Sequence, residues 1–253
     1  MRGMVLNRYQ GMDYRRLASA GMPSPPSPDP EVPPDPGPTW ETTFVTSTVS
    51  GTPAYYDEDE NGVTQYTIAP DFTGASVGDI AIIFMPLWNT NLTVTYLHFP
   101  SGWSCTGINW ASPLSNWSGF IGMKVLTAGD IATPPSIITT MSNSGLIRTH
   151  VYRGPTSATL KEVTKPSATA STISATGFTK DTNHQGIVSI VVDRDTATPT
   201  RPSGWNARSS VVNASLDFDF ADLLDGTYDS GAVNWTGFGA IYPQMGFLVE
   251  FSG

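Results

Sequence analysis

The sequence predicts an all-β protein: an antiparallel β-sandwich of jelly-roll type, preceded by an extended N-terminal anchor and a proline-rich linker. Three observations lead there. Only 14% of the 253 residues are charged, and Thr, Ser, Gly and Pro fill the gap. β-Branched residues suit a pleated surface, whereas Gly and Pro interrupt helices. Short apolar or alternating runs of strand length recur from Trp40 onward, separated by turn signals such as ENG, TAGD, NSG and LDGTYDSG. No stretch carries a sustained helical period, and FADLLDG at 220–226 would make one helical turn at most.

Taken in order, residues 1–22 (MRGMVLNRYQGMDYRRLASAGM) set four arginines against the single acid Asp13. A segment this short cannot bury its own apolar side chains. It is either an unstructured tail or a docking peptide that orders on a partner, with Arg2, Arg8, Tyr9, Tyr14, Arg15 and Arg16 as the anchors. Residues 23–39 open with PSPPSPDPEVPPDPGP. Proline at near-alternate positions drives polyproline II, a semi-rigid spacer rising about 3.1 Å per residue. Residues 40–253 form the β-domain. TWETTFVTSTVS and VTQYTIAP alternate, IGMKVLT, LIRTHVYRG and MGFLVEFSG continue the series, and GDIAIIFM and GIVSIVV are near-continuous apolar runs expected to be buried on both faces.

PSGW occurs twice, at Pro100 and Pro202, each time downstream of one of those two apolar runs. Pro presets a turn, Gly permits a positive φ, and Trp opens the next strand with a large apolar group. Trp103 and Trp205 are therefore expected to seal the sandwich core; the competing reading makes them outward sugar-stacking platforms. The ordered series GDIAIIFM, PSGWSCTG, GFIGMKVLTAGD, LIRTHVYRGP, GIVSIVVD and RPSGW resembles a module of tailed-bacteriophage structural proteins. The resemblance covers roughly residues 40–253 and rests on the order of several weak motifs. It implies a jelly-roll-like β-sandwich carried on the virion as a head fibre, decoration protein or tail-fibre component. It brings no catalytic motif and no cofactor.

Composition limits the alternatives. A net charge of −9 argues against nucleic-acid binding. One cysteine, Cys105, rules out an internal disulfide framework and a cysteine zinc cluster. No apolar run approaches the roughly 18 residues a membrane span needs, and no apolar segment follows the basic N-terminus as in a secretory signal. His98, His150 and His184 lie on separate segments without metal-ligand spacing. Asp57, Glu58, Asp59 and Glu60 resemble half of a calcium loop but lack its completing glutamate, so a solvated turn is expected. Asp217, Asp219, Asp222, Asp225 and Asp229 surround aromatic residues, and paired carboxylates there would suit glycoside cleavage only at a specific separation. There is no G-x-S-x-G nucleophile elbow, and Cys105 reads as a small core residue.

The segments around the first PSGW, PLWNTNLTVTYLHF and NWASPLSNWSGF, carry the most suggestive chemistry. Aromatic faces and Asn amides are what a carbohydrate surface uses, which makes Trp88, Tyr96, Trp110 and Trp117 the glycan-binding candidates, on loops. The expectation is a non-enzymatic, oligomeric virion protein. Residues 1–22 would dock on capsid or tail, and the domain would engage host-surface polysaccharide. The alternatives are a purely architectural cement or connector and, more remotely, a polysaccharide-degrading enzyme.

Overall fold

Two apolar runs organise the molecule. In each, the residues on both faces of the strand are buried: Ile80 through Met85, and Ile187 through Val192. A strand apolar on both sides needs a layer on each side. The structure, a computed structural model, describes residues 41–50, 54–58, 64–89, 97–98, 101–112, 115–139, 147–164, 171–193, 198–213, 216–225, 230–238 and 244–253. All of them belong to one unit, Trp40–Gly253.

In chain order the elements are β1 (Thr43–Val49), β2 (Ala54–Glu58), β3 (Thr64–Ile68), β4 (Ile80–Asn89), β5 (Leu97–His98), β6 (Ser104–Ser112), β7 (Ser115–Val125), α1 (Ala128–Ala132), β8 (Ile137–Thr139) and β9 (Arg148–Arg153). There follow β10 (Ser157–Thr164), β11 (Thr172–Thr179), β12 (His184–Asp193), β13 (Asn206–Asn213), β14 (Leu216–Leu223), β15 (Ser230–Thr236) and β16 (Met245–Ser252). They form two five-stranded sheets, β1-β9-β4-β7-β6 and β10-β16-β12-β14-β13, a four-stranded sheet β2-β3-β8-β5, and a β11-β15 pair. The pairings are antiparallel. The fold is therefore the all-β antiparallel sandwich that the sequence predicts, with two smaller sheets added outside it.

The central core lies between the two five-stranded sheets. Ile80, Ile82, Phe84, Ile121, Met123 and Tyr152 of the first meet Val188, Ile190, Val192, Phe218, Phe220, Phe247, Val249 and Phe251 of the second. Each such side chain stabilises by about 1.5–3 kcal/mol when fully buried. Their alternate neighbours face outward into further cores. Ile83 and Met85 pack with Ile68 and Ile137 of the four-stranded sheet. Ile187, Val191 and Leu248 pack with Ile173, Val233 and Trp235 of the β11-β15 pair.

The two PSGW turns seal these outer cores rather than the central one. Trp103 packs beside Ile68, Ile83 and Phe72, and Trp205 joins the cluster under the β11-β15 pair. The glycines use the conformational freedom that the sequence assigned them, with φ of 86° at Gly102 and 85° at Gly204.

Two local expectations change. Ala221–Leu223 of FADLLDG belong to β14, because ladders on both sides, to β12 and β13, outweigh a weak helical preference. The one short helix among the described residues forms instead at TAGDIA. There Thr127 accepts from the Asp130 backbone N–H and Asp130 accepts from the Thr127 backbone N–H, a capping box that a turn reading of TAGD overlooks.

Candidate functional site: a tryptophan row at the far end of the first sheet

β4, β7 and β6 are adjacent strands, and β6 and β7 are joined by only two residues, with Ser112 opposite Ser115 closing the hairpin. That short connection fixes the register. Trp88 of β4 stands opposite Trp117 of β7, and Trp117 stands opposite Trp110 of β6. Positions directly opposite in an antiparallel ladder share a face of the sheet, so the three occupy one row across three strands. At about 4.8 Å between strands, the outer two positions are about 10 Å apart. Asn89, Asn116 and Ala111 form the next rung on one side, and Leu87, Ser118 and Asn109 the rung on the other. Three of the four glycan candidates are thus brought together, on strands rather than on the loops expected. The fourth, Tyr96, lies outside the described residues, as do the anchor residues Arg2, Arg8, Tyr9, Tyr14, Arg15 and Arg16.

The row has a definite place relative to Glu41 and Gly253. Glu41 and Thr42 lie at the opposite end of the first sheet, where Thr43 pairs with Arg153 and Ile80 with Tyr152. A Cβ on Gly154 would run into the Glu41 carbonyl oxygen, and the Thr42 hydroxyl donates to Gln185 Oε1 at 3.5 Å. Gly253 packs against the same Gln185 side chain, and its N–H donates to the Asn183 carbonyl at 3.0 Å. From Ile80 to Trp88 is eight residues of strand, about 26 Å. Thr42 and Gly253 thus lie at one end of the domain and the tryptophan row toward the other.

On that far side β9 begins with Arg148, opposite Phe84. Its guanidinium sits 5.1 Å from the centre of the Phe218 ring, and its Nε is buried without a hydrogen-bond partner among the described residues. Burial lowers its pKa from the usual arginine value.

The remaining titratable groups are mostly paired inside the sheets. His150 is fully buried, stacked on Phe220 with 3.8 Å between ring centres, and its Nε2 shares hydrogen bonds with Ser47 and Ser209. Burial, reinforced by Arg148 and Arg208, lowers its pKa to about 3, so it is neutral. His184 opens β12, and its Nδ1 lies 2.7 Å from Glu250 Oε1. Glu250 is fully buried; it also accepts from the Asp181 backbone N–H at 2.8 Å and pairs with Lys161 at 2.9 Å. Asp219 and Asp222 fall on opposite faces of β14, bonded to Arg201 and Arg208 respectively, so these two carboxylates do not face each other across a cleft. Burial raises Asp219 to about 6. Asp57 and Glu58 belong to β2, while Asp59, Glu60 and Asp229 lie outside the described residues. His98 belongs to β5. Among the described residues no three His, Cys, Asp or Glu side chains converge as a metal site. Cys105 is half-buried on β6, and burial pushes its thiol up to about 12, far from a nucleophile at neutral pH.

Sequence reasoning found the tryptophans but not their alignment, which only the hairpin register supplies. It missed the Glu250 cluster entirely, since Lys161, Asp181, His184 and Glu250 come from separate segments with no shared spacing. Comparison with known proteins returns no match: no family model fits the chain, and neither a curated protein nor a solved structure is similar to it.

Proposed function

We propose that this protein is a non-enzymatic component of a bacteriophage virion surface that binds host-surface glycan through the row Trp88–Trp117–Trp110. Residues 1–22 dock it on capsid or tail, residues 23–39 hold the domain away from the particle, and several copies act together. The observation that carries this reading is the tryptophan row itself, at the end of the sheet away from Glu41. Aromatic faces pack against sugar C–H faces, and three aligned rings offer them a continuous platform; Asn89, Asn109 and Asn116 of the flanking rungs fall on the other face of the sheet. The virion context rests on the resemblance of the ordered motifs and on the basic, aromatic N-terminal peptide ahead of a proline-rich spacer.

A glycan array and whole host cells, probed with the intact protein and with a Trp88→Ala/Trp117→Ala variant, test it. Saturable binding that the variant loses supports the reading. A folded protein that binds neither makes the domain an architectural cement or connector. Deleting residues 1–22 should leave a folded domain that no longer joins its particle.

A further inference from the structure

The two PSGW turns mark something larger than a recurring turn. We infer that the domain is an internal duplication: residues 43–153 and 157–252 are two copies of one β-unit, joined as a fused dimer about a pseudo-two-fold axis. The strand orders carry this. The first sheet runs β1-β9-β4-β7-β6 and the second β10-β16-β12-β14-β13. Pairing β1 with β10, β4 with β12, β6 with β13, β7 with β14 and β9 with β16 preserves both the order along the chain and the order across the sheet. The outer layers follow the same rule. β3 pairs with β8 over the first sheet and β11 with β15 over the second, and each pair falls at the matching point in its half.

Residue equivalences follow from the register, with the tryptophan turns as anchors. Ser104 directly follows Trp103, and its row across the sheet is Ser104, Met123, Ile82, His150, Ser47. Asn206 directly follows Trp205, and its row is Asn206, Asp222, Val188, Val249, Leu160. Each row crosses five strands in equivalent order. Two residues further along, Tyr152 of β9 becomes the equivalent of Phe251 of β16, opposite Ile80 and Gly186 respectively. Tyr152 and Phe251 touch each other, with ring centres 4.6 Å apart. In a two-fold interface the same patch serves both partners, and only positions near the axis meet their own equivalents. The central core is that interface: Ile82 and Phe84 face it from one copy, and their equivalents Val188 and Ile190 from the other.

The duplication has a consequence for the chain's path. If the copies are related by a two-fold axis, the step from the end of copy one to the start of copy two equals the step from the end of copy two back to the start of copy one. The first step is covered by residues 154–156. At the second, Thr42 and Gly253 both reach Gln185, and the Thr156 N–H donates to the Ser252 carbonyl at 2.9 Å, so the two junctions lie side by side.

Reordering the full chain tests this: residues 1–42, then 157–253, then a two-residue joint, then 43–156, which leaves three residues between β16 and β1 as between β9 and β10. The expected result is a folded protein that melts in one cooperative transition close to the wild-type Tm, with the wild-type pattern of indole resonances. A companion with a long Gly-Ser joint separates chain length from symmetry. Folding with the long joint but not the short one would overturn the two-fold arrangement. Failure with both would mean that the halves are not interchangeable in order and would equally overturn it. Neither readout involves a ligand, so the result stands apart from the glycan proposal.

Discussion

His150 and Asp219 make opposite demands on the folded state. Burial holds His150 neutral, with a pKa of about 3, whereas a histidine in the unfolded chain titrates near 6.5. As pH falls the unfolded chain takes up that proton first, so the stability this residue contributes is complete above about 6.5 and is lost on the way to about 3. Asp219 behaves in reverse. Its folded pKa of about 6 lies above the unfolded value near 3.9, so the folded state binds the proton first, and stability rises as pH falls through that window. Thermal melts between pH 7 and pH 4 check both signs: His150→Phe should flatten the wild-type loss of Tm, and Asp219→Asn should steepen it. Glu250 supplies a third test. Removing one member of a buried ion pair leaves its partners uncompensated, so Glu250→Ala should cost about 3–5 kcal/mol in denaturant unfolding, and Glu250→Gln, which retains an acceptor for the Asp181 N–H, should cost less.

At the scale of elements, the strands that the sequence shows most clearly are those whose surroundings are simple. β4 and β12 read as continuous apolar runs because layers cover both of their faces. β1 and β3 alternate and were equally legible. β6, β10, β11, β13 and β15 were not, because Thr, Ser and Asn dominate edge or outer-layer strands and look like loop composition. That is why the tryptophan segments read as loops: Trp110 and Trp117 lie on a hairpin whose polar residues hide its pairing. Trp205→Ala should cost about 3–5 kcal/mol, since the ring is built into the core beneath the β11-β15 pair. Gly154→Ala should destabilise as well, and hydrogen exchange should report opening at 41–43 and 153–157. Gly154 has φ of 108° and no room for a Cβ beside Glu41. Arg153 pins the same corner by donating from Nε and Nη2 to both carboxylate oxygens of Asp79 at 2.9 Å.

For the whole molecule, the repeated tetrapeptide was the visible tip of a duplication whose body has diverged beyond sequence recognition. Equivalent core positions keep their burial and not their identity: Ile82 matches Val188, and Tyr152 matches Phe251. The tryptophan row was not duplicated. Counting along the strands from the two anchor turns, and allowing for the bulge in β13, Trp110 and Trp117 correspond to Asn213 and Leu216 of the second hairpin. The chain should accordingly bind one glycan segment per copy of the protein, not two, in a calorimetric titration with host-surface polysaccharide.

The most direct test of the central claim follows the indole N–H resonances of the seven tryptophans while that polysaccharide is added to isotope-labelled protein. The signals of Trp88, Trp110 and Trp117 should shift together and saturate, while those of Trp103, Trp205 and Trp235, packed in the outer cores, stay in place. Shifts confined to the packed tryptophans, or no shift at all from a polysaccharide that whole cells show to be bound, would contradict the assignment of the row as the binding site.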